Sequence, residues 1–424
     1  MQILGLILIV LVAVRVLQSI FFAWQSHINA RRHVQLSLKM LNEQILSVQA
    51  QRKQIESLQM HWNGYRKFRV SKKVNEANNI CSVYLVPHDG KPLPRYLPGQ
   101  FVTFRFQMPD LQHDQARSVV RCYSLSDAPR EQYYRITVKR VPTPTGTQHP
   151  PGVISNYIHD HVKIGDLLDL QAPRGDFALD PADCKPVVLI GGGVGLTPVL
   201  SIANAILEAG SDTDIWFFYG VRCGEDHAMR DHLLRLDQEY ENFHLHVSYS
   251  CPSSNDQYGR DYHASGHIDI ELIKKTVKVT NLDFYICGPA PMMDSLVSGL
   301  REWGVSDHHI HREAFGRATI SNVSHSQKKP DQQTNLNQKT TFSIQFNRTN
   351  KNLTWDGTHS CLLDLALEAG INIDSGCRAG SCGSCEIAVK SGKVGTRIES
   401  GLSIDKGSCL ACISYPKSEL ILDA

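Results

Sequence analysis

Residues 376–385 read Gly376-Cys377-Arg378-Ala379-Gly380-Ser381-Cys382-Gly383-Ser384-Cys385. Cys377, Cys382 and Cys385 stand at C-x4-C-x2-C, a spacing that lets three thiolates reach an iron–sulfur cluster from one curled loop. Gly376, Gly380 and Gly383 supply the permissive dihedrals of such a loop and let backbone N–H groups approach the sulfides. A fourth thiolate must come from further on, and Cys409 and Cys412 are both candidates. Zinc is the rival, but zinc ribbons use two separated C-x2-C pairs and this loop holds one. A [2Fe–2S] cluster is therefore expected. It takes one electron at a time, so the rest of the chain has to contain an electron source.

A chain of 424 residues has room for two or three domains. Its net charge of +2 gives no reason to expect nucleic acid as a partner. Of its 12 cysteines, those outside the cluster set are scattered without a framework spacing, which points to a reducing compartment.

Residues 3–24 form an apolar run of bilayer length, broken by Arg15, Gln18 and Ser19. No basic segment precedes it, so an uncleaved anchor is favoured over a signal peptide. Arg31, Arg32 and Lys39 follow it on one side only. The expectation is a single-pass anchor over 1–26 in the inner (cytoplasmic) membrane, with the catalytic domains cytoplasmic. The stretch 27–63 reads as a juxtamembrane helix. Val34, Leu38, Leu41, Ile45, Val48 and Ile55 keep a heptad register that suits a coiled-coil homodimer through 34–55. Arg52 falls in the seam and tips the reading slightly towards a lone helix.

From Tyr65 the pattern changes to short alternating or β-branched runs separated by Gly and Pro, which predicts an antiparallel β-barrel over 64–182. From Pro186, apolar strands alternate with helical stretches, predicting a parallel α/β domain over 183–317. Residues 318–340 are polar and read as a flexible linker, and the cluster domain fills 341–424.

Two further motifs supply the electron source. Arg121-Cys122-Tyr123-Ser124-Leu125-Ser126 lies between barrel strands, and Gly152-Val153-Ile154-Ser155-Asn156 opens a helix whose N-terminus suits a phosphate. Gly191-Gly192-Gly193-Val194-Gly195-Leu196-Thr197-Pro198 follows a strand and starts a helix, the context of a phosphate loop. Tyr219-Gly220-Val221-Arg222, Cys287-Gly288-Pro289 and Glu313-Ala314-Phe315 are the remaining landmarks.

Together these resemble the ferredoxin–NADP reductase superfamily, most closely the reductase half of flavohaemoglobins, over residues 66–316. The resemblance implies FAD rather than FMN. Arg121 would neutralise its phosphate, Tyr123 pack on the ring and Ser124 hydrogen-bond near the reactive nitrogen, while Gly152, Val153 and Ser155 would hold the pyrophosphate. It implies NADH or NADPH on Gly192, Gly193, Gly195, Thr197, Gly220, Arg222, Gly288 and Pro289. The only obvious cation after Tyr219-Gly220-Val221 is Arg222, which favours NADH. Ser124, Cys287 and Glu313 would be the catalytic residues, with Glu313 in a proton or electrostatic role and Phe315 holding the place of the nicotinamide. A plain buried strand-end thiol is the alternative for Cys287.

Leu410-Ala411-Cys412-Ile413-Ser414-Tyr415-Pro416 resembles the closing motif of plant-type ferredoxins. That implies a β-grasp α+β domain, with Cys412 as fourth ligand beside Cys377, Cys382 and Cys385. The order reductase-then-ferredoxin is similar to the phthalate dioxygenase reductase-like electron donors. The sodium-pumping quinone reductase subunit has the opposite order and a longer cysteine loop. The implied function is a membrane-anchored reductase passing electrons from NADH through FAD and [2Fe–2S] to a redox partner, a membrane oxygenase, hydroxylase or desaturase. A respiratory-type NADH:quinone reductase component and a redox sensor without turnover are the alternatives.

Overall fold

The computed structural model describes residues 62, 64–109, 117–143, 151–183, 185–315, 341–378, 380, 382–397 and 404–424, together with Arg15, Trp24 and Gln25. Residues from Trp62 onward form one compact unit. Its first layer is an antiparallel sheet of six strands: β1 (Arg66–Ala77), β2 (Ile80–Pro87), β3 (Phe101–Met108), β4 (Arg117–Ser124), β5 (Tyr134–Lys139) and β6 (Leu167–Leu170). They run in the order β4-β3-β6-β1-β2-β5. The bridge Leu125↔Ile136 joins the two outer strands and closes the sheet into a barrel. Alternation builds the interior: Phe68 and Val70 on β1 meet Phe104 and Phe106 on β3, all fully or almost fully buried.

A six-stranded parallel sheet follows: β7 (Val187–Gly192), β8 (Ile215–Val221), β9 (Phe243–Tyr249), β10 (Ala264–Ser265), β11 (Asp283–Cys287) and β12 (Ile310–Glu313). Its order is β10-β9-β8-β7-β11-β12. Every residue of β7 is buried, as expected of a central parallel strand covered on both faces. The chain winds from β7 to one side through β8 and β9, then returns to the other side at β11. The crevice beyond the carboxyl ends of β7 and β11 is thus the switch point, where open α/β sheets bind ligands.

The third layer is a mixed sheet of β13 (Phe342–Phe346), β14 (Lys351–Trp355), β15 (Glu386–Ser391), β17 (Ser408–Leu410) and β19 (Leu420–Leu422), in the order β14-β13-β19-β15-β17. β16 (Val394–Thr396) pairs separately with β18 (Ser414–Pro416). The helix Leu362–Glu368 lays Leu362, Leu363, Leu365 and Ala366 into this core. Each buried leucine contributes about 1.5–3 kcal/mol.

The barrel and the parallel sheet are bolted together at Asp127. Its Oδ1 accepts from Asn204 Nδ2 at 3.0 Å and its Oδ2 from the Tyr133 hydroxyl at 2.8 Å. Its carbonyl accepts from the hydroxyls of Tyr96 (2.7 Å) and Ser201 (2.5 Å). Arg135 Nη1 lies 3.5 Å from the carboxylate, and both residues are buried.

The expected N-terminal membrane helix is corrected. Among the described residues no helix is long and apolar enough to cross a membrane. The run is interrupted by Arg15, Gln18 and Ser19, whereas a span needs about 20 predominantly apolar residues. Of residues 1–26 only Arg15, Trp24 and Gln25 are described, and all three are exposed. The heptad stretch 34–55 and the linker 318–340 lie outside the described residues.

Replacing Asp127 with Ala leaves the Arg135 guanidinium buried without its counter-charge. The expected loss of stability is about 3–5 kcal/mol, measured by denaturant unfolding of the flavin-loaded protein.

Candidate functional site

β4 delivers the flavin motif. Its register with β3 sets Phe104 opposite Arg121 and Val102 opposite Tyr123, and the Tyr123 ring packs edge-on against Phe104 at 5.6 Å. Arg121 is exposed within β4. Gly152 precedes the helix Val153–Asp160, and a Cβ there would sit 2.7 Å from Ser155 Oγ and 2.8 Å from Val141 Cβ. The Ser155 hydroxyl is already engaged: it donates to Gly152 O at 3.1 Å and accepts from Val141 N at 3.2 Å. Ser155 therefore braces the turn, and Val153 is presented outward. Arg121, Tyr123, Gly152, Val153, Glu313 and Phe315 all line one cleft of ≈ 950 Å³. This is room for a flat ring with a phosphate-bearing tail.

At the switch point the chain uses glycine to bring strand tips together. A Cβ on Gly195 would lie 2.1 Å from Cys287 O, and one on Gly288 would lie 2.5 Å from Met292 Cε. Gly192 leaves room for Met292 Sδ and Pro289, while Gly193 turns the chain at φ +56°. Thr197, buried at the start of the helix Leu196–Glu208, donates to Val194 O at 3.0 Å. Gly220 lies in register with Gly192, and Arg222 is exposed just past β8.

The registers β7–β11 and β11–β12 align Gly191, Cys287 and Glu313 in one row across three strands. Ser124, from the barrel, donates to Glu313 Oε2 at 3.1 Å. So the three residues expected to be catalytic come together from two domains. Burial pushes the Glu313 carboxyl up to about 8, with the Ser124 hydrogen bond working the other way. Burial, then the nearby Glu313, pushes the Cys287 thiol well above its ordinary value. At neutral pH this corner is uncharged.

The cysteine loop has the opposite character. Gly380 (φ +78°) and Gly383 (φ +72°) make its turns, and Arg378 (φ +56°) is held by Asp364 at 3.0 Å. Gly376 has another task, close approach: a Cβ there would meet Cys122 Sγ at 2.8 Å and Cys382 Sγ at 3.2 Å. Cys377 N donates to Cys382 Sγ and Cys382 N to Cys377 Sγ, both at 3.3 Å. Cys385 is hydrogen-bonded to Cys412. Among the described residues no three His, Cys, Asp or Glu side chains close around one point. The thiols meet in twos, Cys377 with Cys382 and Cys385 with Cys412, which suits a group of two irons each taking two thiolates. Hydrogen bonds from Cys122 and Cys377 hold Cys382 far below a free thiol's range, and those from Cys412 hold Cys385 low. Cys412, the partner of Cys385, is pushed far above an ordinary thiol by the same contact. Cys409 sits in β17 opposite Ile387, and burial pushes it up to about 12. It is a core thiol.

Three features escaped the reading of the sequence. Asp127 directly follows the flavin motif, but its partners across the domain boundary, Ser201 and Asn204, are distant in sequence. Cys122 was passed over inside that motif. β-Strand alternation places it on the face opposite Tyr123, and that face touches the cysteine loop. Beside it, the Arg105 guanidinium lies 4.0 Å from the Tyr65 ring centre, with Asp374 of the cluster domain within charge range.

Family models match residues 67–179 as an oxidoreductase FAD-binding domain, 189–298 as an oxidoreductase NAD-binding domain and 344–417 as a 2Fe-2S iron–sulfur cluster binding domain. The flavohem-like FAD/NAD binding domain of nitric oxide dioxygenase from Vibrio cholerae is 31% identical, with a TM-score of 0.52. The match covers 60% of this chain and 100% of that one. The chain belongs to the ferredoxin–NADP reductase superfamily. To this reductase module it adds the cluster domain, and it is an oxidoreductase with FAD, NAD(P)H and [2Fe–2S] as its cofactors. The flavohemoprotein of Halalkalibacterium halodurans is 40% identical over 257 residues, 61% of each chain. The chain thus spans about three-fifths of the curated relatives it matches. Phthalate dioxygenase reductase, 24% identical, shares the fold of all three layers at a TM-score of 0.52, over 85% of this chain and 98% of that one.

Because the folded Glu313 pKa lies above its unfolded value, its contribution to stability is complete in acid. It declines from the ordinary carboxyl range and is lost as the pH rises through about 8. The melting temperature of this reductase should fall over that window, and Glu313→Gln should flatten the decline; an equal slope in both proteins would place the carboxyl pKa elsewhere.

Proposed function

We propose that this NAD(P)H-dependent flavin and iron–sulfur reductase uses NADH and delivers single electrons from its cluster domain to an oxygenase, hydroxylase or desaturase. The observation that carries the reading is that the flavin motif and the cysteine loop line the same cleft: Tyr123 and Ser124 stand on one wall, Gly376 and Cys377 on another. The flavin, when bound, supplies the conversion of a two-electron donor into one-electron steps. Every other part is the work of the chain. The helix starting at Leu196 and the interlocked tips at Gly195 and Cys287 present backbone N–H groups to a pyrophosphate. The neutral corner of Cys287, Glu313 and Ser124 receives the nicotinamide end without opposing the negative charge that reduction brings. Phe315, exposed at the cleft, covers that place when the nucleotide is absent.

A dioxygenase-type acceptor is supported by the shared layering with phthalate dioxygenase reductase, whose name couples pyridine nucleotides to [2Fe–2S]. The described cysteines are all free thiols, which suits a cytoplasmic, reducing setting for the catalytic domains.

Anaerobic titration with NADH should bleach the flavin and produce the low-temperature electron paramagnetic resonance signal of a reduced [2Fe–2S] cluster, which Cys382→Ser should abolish. Flavin bleaching without that signal in the unmodified protein would sink the reading. A 2′-phosphate needs more cationic surface than Arg222 offers, so kcat/KM for NADH should exceed that for NADPH by about tenfold. A preference for NADPH would reverse the assignment.

A further inference from the structure

We propose that Cys122 is a positioning residue for electron transfer into the cluster: its thiol donates a hydrogen bond to the Cys382 sulfur across the contact between barrel and cysteine loop. This rests on the reading of Cys382 as a cluster ligand. The Cys122 and Cys382 sulfurs come together at Gly376 although the two residues are far apart in sequence and belong to different layers. Two features show that the contact is built. Gly376 lies against both sulfurs, and any side chain there would collide with Cys122 Sγ at 2.8 Å and Cys382 Sγ at 3.2 Å. Behind Cys122, the fully buried Thr103 hydroxyl lies 3.5 Å from its sulfur. With Thr103 donating to Cys122, the Cys122 proton is directed to Cys382. Cys122 also sits one residue from Tyr123, so one strand carries the flavin contact on one face and the cluster contact on the other.

The chemistry follows from charge. One-electron reduction adds one negative charge, spread partly over the ligand sulfurs, and an S–H dipole aimed at one of them stabilises that charge. Cys122 keeps its proton throughout, so no bond forms or breaks at it. It raises the cluster's affinity for the electron and holds the loop against the strand that touches the flavin.

The test is a redox titration of the full flavin- and cluster-loaded protein, following the flavin by visible absorbance and the cluster by electron paramagnetic resonance. Cys122→Ala should lower the one-electron reduction constant of the cluster about tenfold, equivalent to a fall of 59 mV. Cys122→Ser keeps a donor in place and should return that constant to within about threefold of the unmodified protein. An unchanged potential in Cys122→Ala, or equal falls in the Ala and Ser variants, overturns the proposal. Should Cys122→Ala fail to load its cofactors, Thr103→Val decides: the potential falls if the hydroxyl aims the thiol, and an unchanged value overturns the proposal. The absence of any cluster signal in the unmodified protein would instead be a failure of the functional reading itself.

Discussion

One buried carboxylate holds the two halves of the reductase module in a single geometry. Asp127 lies three residues beyond Ser124, and its partners Ser201 and Asn204 lie on the helix whose first turn is the nucleotide loop. A buried charge is costly unless each of its lone pairs is used, and here Arg135, Tyr133 and Asn204 take them. The flavin motif and the glycine loop are therefore referred to the same residue. The Ser124–Glu313 hydrogen bond, which joins residues 189 positions apart, depends on that reference.

Given the bolt, the site is assembled by what the chain leaves out. At Gly195 a single Cβ would lie 2.1 Å from the Cys287 carbonyl oxygen, far inside van der Waals contact. Only a bare backbone lets the β7 loop meet the β11 tip and so align Cys287 with Glu313. Gly376 repeats the device at the other end of the cleft, between the cysteine loop and β4. In both places the missing side chain admits a backbone or sulfur contact between segments remote in sequence.

The motifs that were legible were those whose chemistry is local. C-x4-C-x2-C is written in ten consecutive residues, and the glycine loop is announced by the strand before it and the helix after it. The barrel and the parallel sheet were legible because period-two alternation and uniformly apolar runs such as Val187–Ile190 are local patterns as well. Asp127 and Cys122 were not legible, because the partners that join them to another layer (Ser201 and Asn204 for Asp127, the cysteine loop for Cys122) lie more than 70 residues away. Ser155, assigned to the pyrophosphate by resemblance, lines the cleft, and its hydroxyl also braces the turn through Val141 and Gly152. The apolar run and the one-sided Arg31, Arg32 and Lys39 suggested a membrane span at the N-terminus, and Arg15 within the run counts against it.

The two ends of the cleft obey opposite electrostatic rules, and that opposition gives the electron path a direction. Around Glu313 and Cys287, burial favours the protonated forms, so these two groups carry little fixed charge of their own. At the cysteine loop, the Cys377 N–H donates to the Cys382 sulfur and the Cys382 N–H to the Cys377 sulfur, which favours the anionic form of both. These backbone N–H groups are independent of thiol protonation, so they can also stabilise the extra negative charge of a reduced cluster. Electrons are thus drawn from a neutral, desolvated corner towards a loop already organised to accept negative charge. Both ends are fixed to β4, whose residues 121–124 line the cleft throughout.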